Sequence, residues 1–258
     1  MPAILFEIKN KVAIIRLNRP DKLNAFNRDM ALLLQEKLDE CKHSNEVRAV
    51  YMTGMGKAFS AGQDLDEVTD PNGPELTDIL AKHYNPIVKK IRQLEKPIVA
   101  AVNGVAAGAG ANIALCCDVV VAAQSASFIQ AFSKIGLIPD SGGTYFLPRL
   151  IGWQKASALC MLGDKVPAAE AERIGMIYKV IADESFADAS FEIAVTLSKM
   201  PTKALTYTKH ALNQSLINNL EDQLLDEEML QQKAGKTKDY EEGVKAFLEK
   251  RKPNFTGE

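Results

Sequence analysis

A run of small residues occupies positions 105–112, with the sequence Val-Ala-Ala-Gly-Ala-Gly-Ala-Asn. It follows a predicted strand and opens a predicted helix, whose first turn presents unpaired N–H groups at the positive end of the helix dipole. Small side chains let a ligand approach such a backbone, so the stretch suits an anion or a developing oxyanion. A dinucleotide fingerprint needs a third glycine where this chain has Ile113, which disfavours a Rossmann site. Taken alone, the motif is more typical of close helix–sheet packing than of a binding site.

A second loop of this type lies at positions 58–65, Ala-Phe-Ser-Ala-Gly-Gln-Asp-Leu, again after a predicted strand. A free backbone N–H is expected after Gly62. Asp64 is better explained as a helix cap than as a catalyst. Two such loops together are more informative than one, because an oxyanion hole needs converging donors.

The third stretch, positions 136–144, places a lone carboxylate, Asp140, after Leu-Ile-Pro. Asp140 is either a turn or cap residue or a base whose pKa is raised by apolar surroundings, and the local sequence leaves both open. The neighbouring Ser141 has no recognisable catalytic partner. The three histidines lie in polar helical contexts and are predicted to be surface or packing residues: His43, His83 and His210.

Hydrophobic patterning predicts an α/β protein. We expect two strands at 4–9 and 11–18 joined by a tight turn, and buried strands at 47–53, 97–103 and 119–122. Helices are predicted after a cap at Asn27, at 75–94 with a bend at Pro86, and at 108–116, with a long loop at 54–74. Beyond Pro201 the pattern is helical only, at 202–215, 219–234 and 239–250, with caps at Asn218 or Asn219 and at Thr237. Apolar stripes on these helices suggest that the tail packs on another surface, such as another subunit.

Composition narrows the function classes. The chain has 258 residues, 47% of them hydrophobic, and a formal net charge of −2, so neither nucleic acid nor a membrane is the expected partner. Its four cysteines match no zinc or redox spacing and are expected to be buried thiols in a reducing compartment. No secretory signal or membrane-length apolar run is found, which predicts a cytoplasmic protein.

The three stretches, together with 15–20 (Ile-Arg-Leu-Asn-Arg-Pro), 22–25 (Lys-Leu-Asn-Ala) and 246–251 (Ala-Phe-Leu-Glu-Lys-Arg), resemble the crotonase, or enoyl-CoA hydratase/isomerase, superfamily. The resemblance implies a spiral of ββα units in residues 1–200 and a helical trimerisation region in 201–258, giving a homotrimer or a dimer of trimers. It implies an acyl-CoA thioester as substrate, with no metal and no cofactor besides the coenzyme A that the substrate carries. By motif register, the oxyanion hole falls on the backbone N–H groups of Gln63 and Ala109.

The chain departs from the family pattern where hydratases keep two glutamates, since those positions look like Asn112 and Phe132. Asp140 then remains as the single base, which favours isomerisation over hydration. The resemblance is strongest to the subfamily that isomerises ring-1,2-epoxyphenylacetyl-CoA in phenylacetate catabolism and shifts 3-enoyl double bonds to the 2-position. Alternatives are a Δ3,Δ2-enoyl-CoA isomerase of fatty acid metabolism, a hydratase-like enzyme, or a catalytically silent acyl-CoA-binding protein.

The resemblance also implies a set of substrate-binding residues. Lys22 is expected near the coenzyme A phosphates, and Lys250 is expected to reach the same region, from a neighbouring subunit in one arrangement. Exposed lysines are common, so a purely solvated role is the alternative for both. The complete predicted binding set is Lys22, Ala25, Ala61, Asp64, Leu65, Gly108, Phe132, Phe247 and Lys250.

Overall fold

The computed structural model describes residues 2–258 and contains ten strands in two sheets. The strands are β1 (Ile4–Lys9), β2 (Val12–Leu17), β3 (Ala49–Gly54), β4 (Ala58–Ser60), β5 (Ile98–Val102), β6 (Val105–Ala107), β7 (Val119–Ala123), β8 (Ser127–Ile129), β9 (Lys165–Pro167) and β10 (Lys179–Ile181). The larger sheet has the order β1-β2-β3-β5-β7-β10 and is parallel except for the β1–β2 pair. Asn10 and Lys11 form the turn of that pair with φ of 55° and 62°, which confirms the predicted hairpin.

The smaller sheet has the order β4-β6-β8-β9. Its first three strands are parallel, and β9 runs antiparallel to β8. Parallel neighbours end at the same edge of a sheet, so the loops that follow β4, β6 and β8 emerge side by side. This edge carries the candidate site.

Twelve α-helices surround the sheets: α1 (Arg28–His43), α2 (Leu65–Thr69), α3 (Leu76–Asp78), α4 (Asn85–Gln93), α5 (Gly108–Leu115), α6 (Gly143–Ile151), α7 (Trp153–Leu162), α8 (Ala168–Arg173), α9 (Phe186–Lys199), α10 (Thr202–Gln214), α11 (Leu220–Ala234) and α12 (Lys238–Leu248). Asn27, Asn219 and Thr237 cap α1, α11 and α12 by accepting backbone N–H groups in their first turns, as their residue types predict. Of the two candidate caps before α11, the structure selects Asn219. The α/β fold class is thereby confirmed.

The region 75–94 is helical throughout, as predicted, but it is irregular before Pro86. Helix α3 passes into a π-helical turn, Ile79–Tyr84, and α4 follows directly at Asn85. Pro86 has no N–H for the carbonyl of Lys82, which accepts from Gln35 Nε2 at 2.8 Å instead, so the irregular turn is the one that a proline disrupts. The predicted loop at 54–74 also contains β4, which is too short to show a periodic pattern.

An ion pair between the buried Lys209 and the half-buried Asp118 links the tail to the core. The Lys209 Nζ of α10 lies 2.8 Å from Asp118 Oδ2 and donates to the carbonyl of Ile91 at 2.7 Å. The division of the chain at residue 200 and the oligomeric role of the tail stay predictions.

The thiols of three cysteines are buried and free, Cys41, Cys116 and Cys117, and Cys160 is half-buried. Among residues 2–258, no helix combines the length and hydropathy that crossing a membrane requires.

Candidate active site

Two loops meet at the edge of the smaller sheet because β4 and β6 are parallel neighbours, with Ser60 paired to Ala106. Their contact is too close for a side chain at Gly62. A Cβ there would lie 2.8 Å from the carbonyl oxygen of Ala107 and 3.5 Å from the amide nitrogen of Ala109. Gly62 also has a φ of +92°, a conformation that glycine adopts without strain. The two glycine-rich stretches of the sequence therefore touch in the fold.

Each of these loops carries an unused backbone donor. Around Gln63, the chain pairs with Phe26 through the carbonyl of Gly62 and the N–H of Asp64, which leaves the N–H of Gln63 without an acceptor in the described chain. The N–H of Ala109 belongs to the first turn of α5, where no intrahelical partner exists. The structure thus brings together the two residues predicted to form an oxyanion hole. Their catalytic role stays a prediction.

The stretch 22–25 lies against the same loop. The Asn24 side chain donates to the carbonyl of Ala58 at 2.8 Å, and Ser60 Oγ donates to the carbonyl of Asn24 at 2.8 Å. The N–H of Ala61 is bonded to the carbonyl of Leu23. Gly110 lets α5 pack on this assembly, because a Cβ at that position would lie 2.6 Å from Ser60 Oγ. The predicted binding residues Ala25, Ala61 and Gly108 therefore lie within one tightly packed unit.

Asp140 lies in the segment between a 3-10 turn, Ala131–Ile135, and the start of α6. Its backbone carbonyl accepts from Asn112 Nδ2 at 2.9 Å and from the N–H of Gly143 at 2.8 Å. Its carboxylate accepts from Ser141 Oγ at 2.9 Å and does not cap α6, which has no side-chain cap. Burial raises the pKa of Asp140 to about 6, although the Ser141 hydroxyl acts in the opposite direction. Asp140 therefore lies in a turn without capping the helix, and its carboxyl has a raised pKa; its role as a base stays a prediction.

Asn112 is 1% exposed and joins three elements. Its Oδ1 accepts from Gln130 Nε2 at 2.8 Å, while its Nδ2 holds the Asp140 carbonyl. Gln130 is the residue that follows β8, and nothing in the sequence pointed to its part in this chain of contacts. Phe132 is buried, with its ring about 3.8 Å from where a Cβ of Gly108 would stand. Of the two positions that depart from the hydratase pattern, Asn112 thus contacts the Asp140 carbonyl, and Phe132 packs near Gly108.

Tyr84 is a further polar group of this region that the sequence did not single out as functional. It ends the π-helical turn and is buried, with its hydroxyl donating to Gln63 Oε1 at 2.6 Å. Burial raises the pKa of Tyr84 well above its ordinary value, and the negative charge of Asp140 adds to the effect. Gln63 Nε2 in turn donates to Glu67 at 3.1 Å. The side chain of Gln63 is therefore held in place while its backbone N–H stays free.

The remaining predicted binding residues lie in two places. Asp64 caps α2, as predicted, and forms a 2.6 Å ion pair with Arg19, while the following residue, Leu65, is exposed. Lys22 is exposed and forms an ion pair of 2.6 Å with Asp66 near this loop, and the hydrogen bond to that carboxylate raises the pKa of Lys22.

Phe247 and Lys250 lie at the end of α12. Phe247 is 83% exposed and lines a groove with Pro201, Ala204 and Val244, a groove that includes none of Gln63, Ala109 or Asp140. Within a single chain, these two residues therefore belong to the helical tail. In the described part of the chain, no three His, Cys, Asp or Glu residues are arranged to hold a metal ion.

Comparison with known proteins agrees with the motifs. Residues 7–258 match the family model described as enoyl-CoA hydratase/isomerase. A protein of Escherichia coli named 1,2-epoxyphenylacetyl-CoA isomerase is 46% identical over 260 residues, covering 100% of this chain and 99% of its own length. A protein of Rhodobacter capsulatus named "probable enoyl-CoA hydratase" is 43% identical, covering 98% of both chains.

The fold is also that of solved relatives. The crystal structure of an enoyl-CoA hydratase from Bacillus anthracis superposes with a TM-score of 0.92 at 32% identity, covering 99% of this chain and 100% of that one. The resemblance inferred from the motifs is confirmed over nearly the whole sequence. The chain belongs to the enoyl-CoA hydratase/isomerase family, the crotonase superfamily, and is an enzyme of the enoyl-CoA isomerase or hydratase type.

Proposed function

We propose that this enzyme isomerises acyl-CoA thioesters, with Asp140 as the only base and with the backbone N–H groups of Gln63 and Ala109 as the oxyanion hole. The observation that carries the proposal is the state of Asp140, a largely buried carboxyl whose pKa is raised to about 6 and whose backbone carbonyl is bonded to Asn112 of α5, the helix that begins with Gly108 and Ala109. A base titrating near the working pH is suited to taking a proton and giving it back.

The neighbours of Asp140 support isomerisation over hydration. Adding water across a double bond calls for groups that activate the water and deliver a proton, whereas a proton shift needs one base. Asn112 is an amide whose two ends are occupied by Gln130 and by the Asp140 carbonyl, and Phe132 is a buried apolar ring. Neither can act as an acid or a base.

In the proposed reaction, Asp140 takes a proton from C2 of a 3-enoyl-CoA, and the electron pair left behind moves into the thioester as an enolate. The N–H groups of Gln63 and Ala109 stabilise the negative charge on the thioester oxygen. Asp140, now protonated, returns the same proton to C4, which places the double bond between C2 and C3. Substrate and product have the same atoms, so no co-reactant is needed.

The favoured acyl group is the ring-1,2-epoxide of phenylacetyl-CoA, which would be opened to an isomeric oxepin. Support for this finer assignment comes from the 46% identity to the Escherichia coli protein of that name. The name carried by the Rhodobacter capsulatus relative favours hydration of enoyl-CoA as the second candidate. Coenzyme A would enter as part of either substrate, with Lys22 near its phosphates.

The test is turnover of a small panel, ring-1,2-epoxyphenylacetyl-CoA, a 3-enoyl-CoA and crotonyl-CoA, followed by ultraviolet absorbance and product mass spectrometry. We expect isomeric products of unchanged mass from the first two and negligible water addition to crotonyl-CoA. Asp140→Asn should bind acyl-CoA and fold normally but lose isomerisation by about 10²–10⁴-fold, the usual cost of losing a general base.

A matched control is Asp164→Asn, which removes a carboxylate from an exposed position of the same chain. It should retain full activity. Near-normal isomerisation by Asp140→Asn, or efficient hydration of crotonyl-CoA by the unmodified enzyme, would contradict the proposal.

A further inference from the structure

Ser141, the residue after Asp140, has an unusual backbone. Its φ is +51°, in the left-handed region that side chains other than glycine seldom adopt, and the residue is only 2% exposed. Such a conformation costs free energy and persists only where the surrounding structure holds it. Gly142, the next residue, has a φ of +78°, which glycine adopts without strain. A left-handed turn at this place therefore does not by itself require a serine at position 141.

The hydroxyl of Ser141 makes a hydrogen bond that explains why a serine occupies this strained position. Its Oγ donates to Asp140 Oδ1 at 2.9 Å, and no second side chain among residues 2–258 donates to this carboxylate. The backbone of Asp140 is fixed separately by Asn112 and Gly143 at its carbonyl. The hydroxyl therefore acts on the carboxylate itself and adds little to holding the main chain.

We propose that Ser141 is a positioning residue that favours the ionised form of Asp140, fixes the orientation of its carboxylate and leaves Oδ2 to carry the proton. This inference rests on the proposed role of Asp140 as the base. A hydroxyl that donates to a carboxylate stabilises the charged form and so opposes the effect of burial. With the hydroxyl present, burial raises the pKa of Asp140 only to about 6.

The backbone N–H of Asp140 itself also lowers the pKa of the carboxyl, and no other side chain around Asp140 supplies this effect. Helix α5, which packs against the segment, has no ionisable side chain. Tyr84 faces Asp140 as a neutral phenol, since burial raises its pKa well above its ordinary value. Lys134 and Arg149 are exposed, and Arg149 stacks on the ring of Tyr145. The titratable or charged side chains on the surrounding elements include Tyr84, Asp64, Glu67, Lys134, Tyr145 and Arg149. Helix α4 adds Lys89, Lys90 and Arg92, of which Lys90 pairs with Asp39 and Arg92 with Asp118.

The experiment compares the pH profile of kcat/KM for 3-enoyl-CoA isomerisation in the unmodified enzyme, Ser141→Ala, Ser141→Gly and Ser141→Cys. Loss of the hydroxyl should move the acidic limb upward by about one pH unit, given the usual worth of a hydrogen bond to a charged group. From a pKa of about 6, such a shift lowers the rate about five-fold at pH 6 and hardly changes it at pH 8.5. A titration of the 13C-labelled Asp140 carboxyl should show the same displacement without depending on turnover.

Ser141→Gly separates this role from a structural one, because glycine adopts the left-handed conformation freely but has no hydroxyl. We expect it to fold at least as well as the unmodified chain and to show the full shift. Ser141→Cys keeps the shape with a weaker donor and should give an intermediate shift.

If the pH profiles of kcat/KM share the same acidic limb in all four proteins while Asp140→Asn is inactive, the proposed role of Ser141 is wrong. The proposed role of Asp140 as the base would then remain. Retained activity in Asp140→Asn would instead remove the proposed function itself.

Discussion

Replacing the buried carboxyl of Asp140 should make the folded protein more stable at neutral pH while it stops the reaction. In the native structure this carboxyl lies where burial raises its pKa from 3.8 to about 6. An ionised carboxylate in this place is less well solvated than in the unfolded chain. Asp140→Asn keeps the shape of the side chain and removes the ionisation, so it should also remove this destabilisation.

The sign follows from proton binding in the two states. The folded state holds the proton more tightly, so the contribution of Asp140 to stability is fully present below the unfolded pKa and is lost as pH rises through the folded pKa. A difference of about 2 units corresponds to about 3 kcal/mol once the group is ionised in both states. About half of that is already lost at pH 5, so about 1.5 kcal/mol remains to be lost between pH 5 and pH 8.

The assay is urea unfolding of both proteins at one protomer concentration, at pH 5, 6, 7 and 8, followed by circular dichroism. The stability advantage of Asp140→Asn over the unmodified protein should widen by about 1.5 kcal/mol across this range. Asp164→Asn, at an exposed position, controls for the change in net charge.

An advantage that stays constant or narrows from pH 5 to pH 8 would refute the reasoning. It would mean that folding leaves the pKa of the Asp140 carboxyl unchanged or lowers it. The site would then have no special affinity for a proton, and the argument for Asp140 as a tuned base would lose its electrostatic support.

Three further predictions concern the rest of the molecule. Gly62→Ala would bring a Cβ within 2.8 Å of the Ala107 carbonyl at a φ of +92°, so the Gln63 N–H should shift and kcat should fall by about 10²–10³-fold, with circular dichroism unchanged. Lys22→Ala and Lys250→Ala should each weaken acyl-CoA binding and reduce its salt dependence, and an unchanged Kd would remove both from the site. The exposed apolar residues of the helical tail should form a trimer interface, so light scattering at micromolar concentration should give three or six protomer masses and not one.

The sequence alone was sufficient for features that depend on neighbouring residues. The Asn10–Lys11 turn and the caps at Asn27 and Thr237 were predicted because side-chain-to-backbone bonding and left-handed turn preference act within a few residues. The three tail helices have apolar residues at helical spacing over several turns, and their predicted bounds lie within a few residues of the observed ones. The motif order was enough to identify the family, since separated motifs in a fixed order carry information that no single one does.

Other elements became visible only in the fold. Strands β4, β6, β8 and β9 have three residues each, too few for a pattern, and form only because neighbours supply their hydrogen bonds. The hydrogen bond of the Tyr84 hydroxyl to Gln63 Oε1, at 2.6 Å, likewise joins residues that the chain separates and that only the fold brings together. Local secondary-structure propensity predicts neither the short strands nor the contact of Tyr84 with Gln63.

The state of Asp140 is the clearest case of a property that only tertiary structure decided. From the sequence, a turn residue and a tuned base were equally good descriptions of this carboxyl. The fold bonds its backbone carbonyl to Asn112, 28 residues earlier in the chain, which Gln130 holds in turn. Its raised pKa arises from burial, and burial is a property of the folded chain, not of the residues adjacent in sequence.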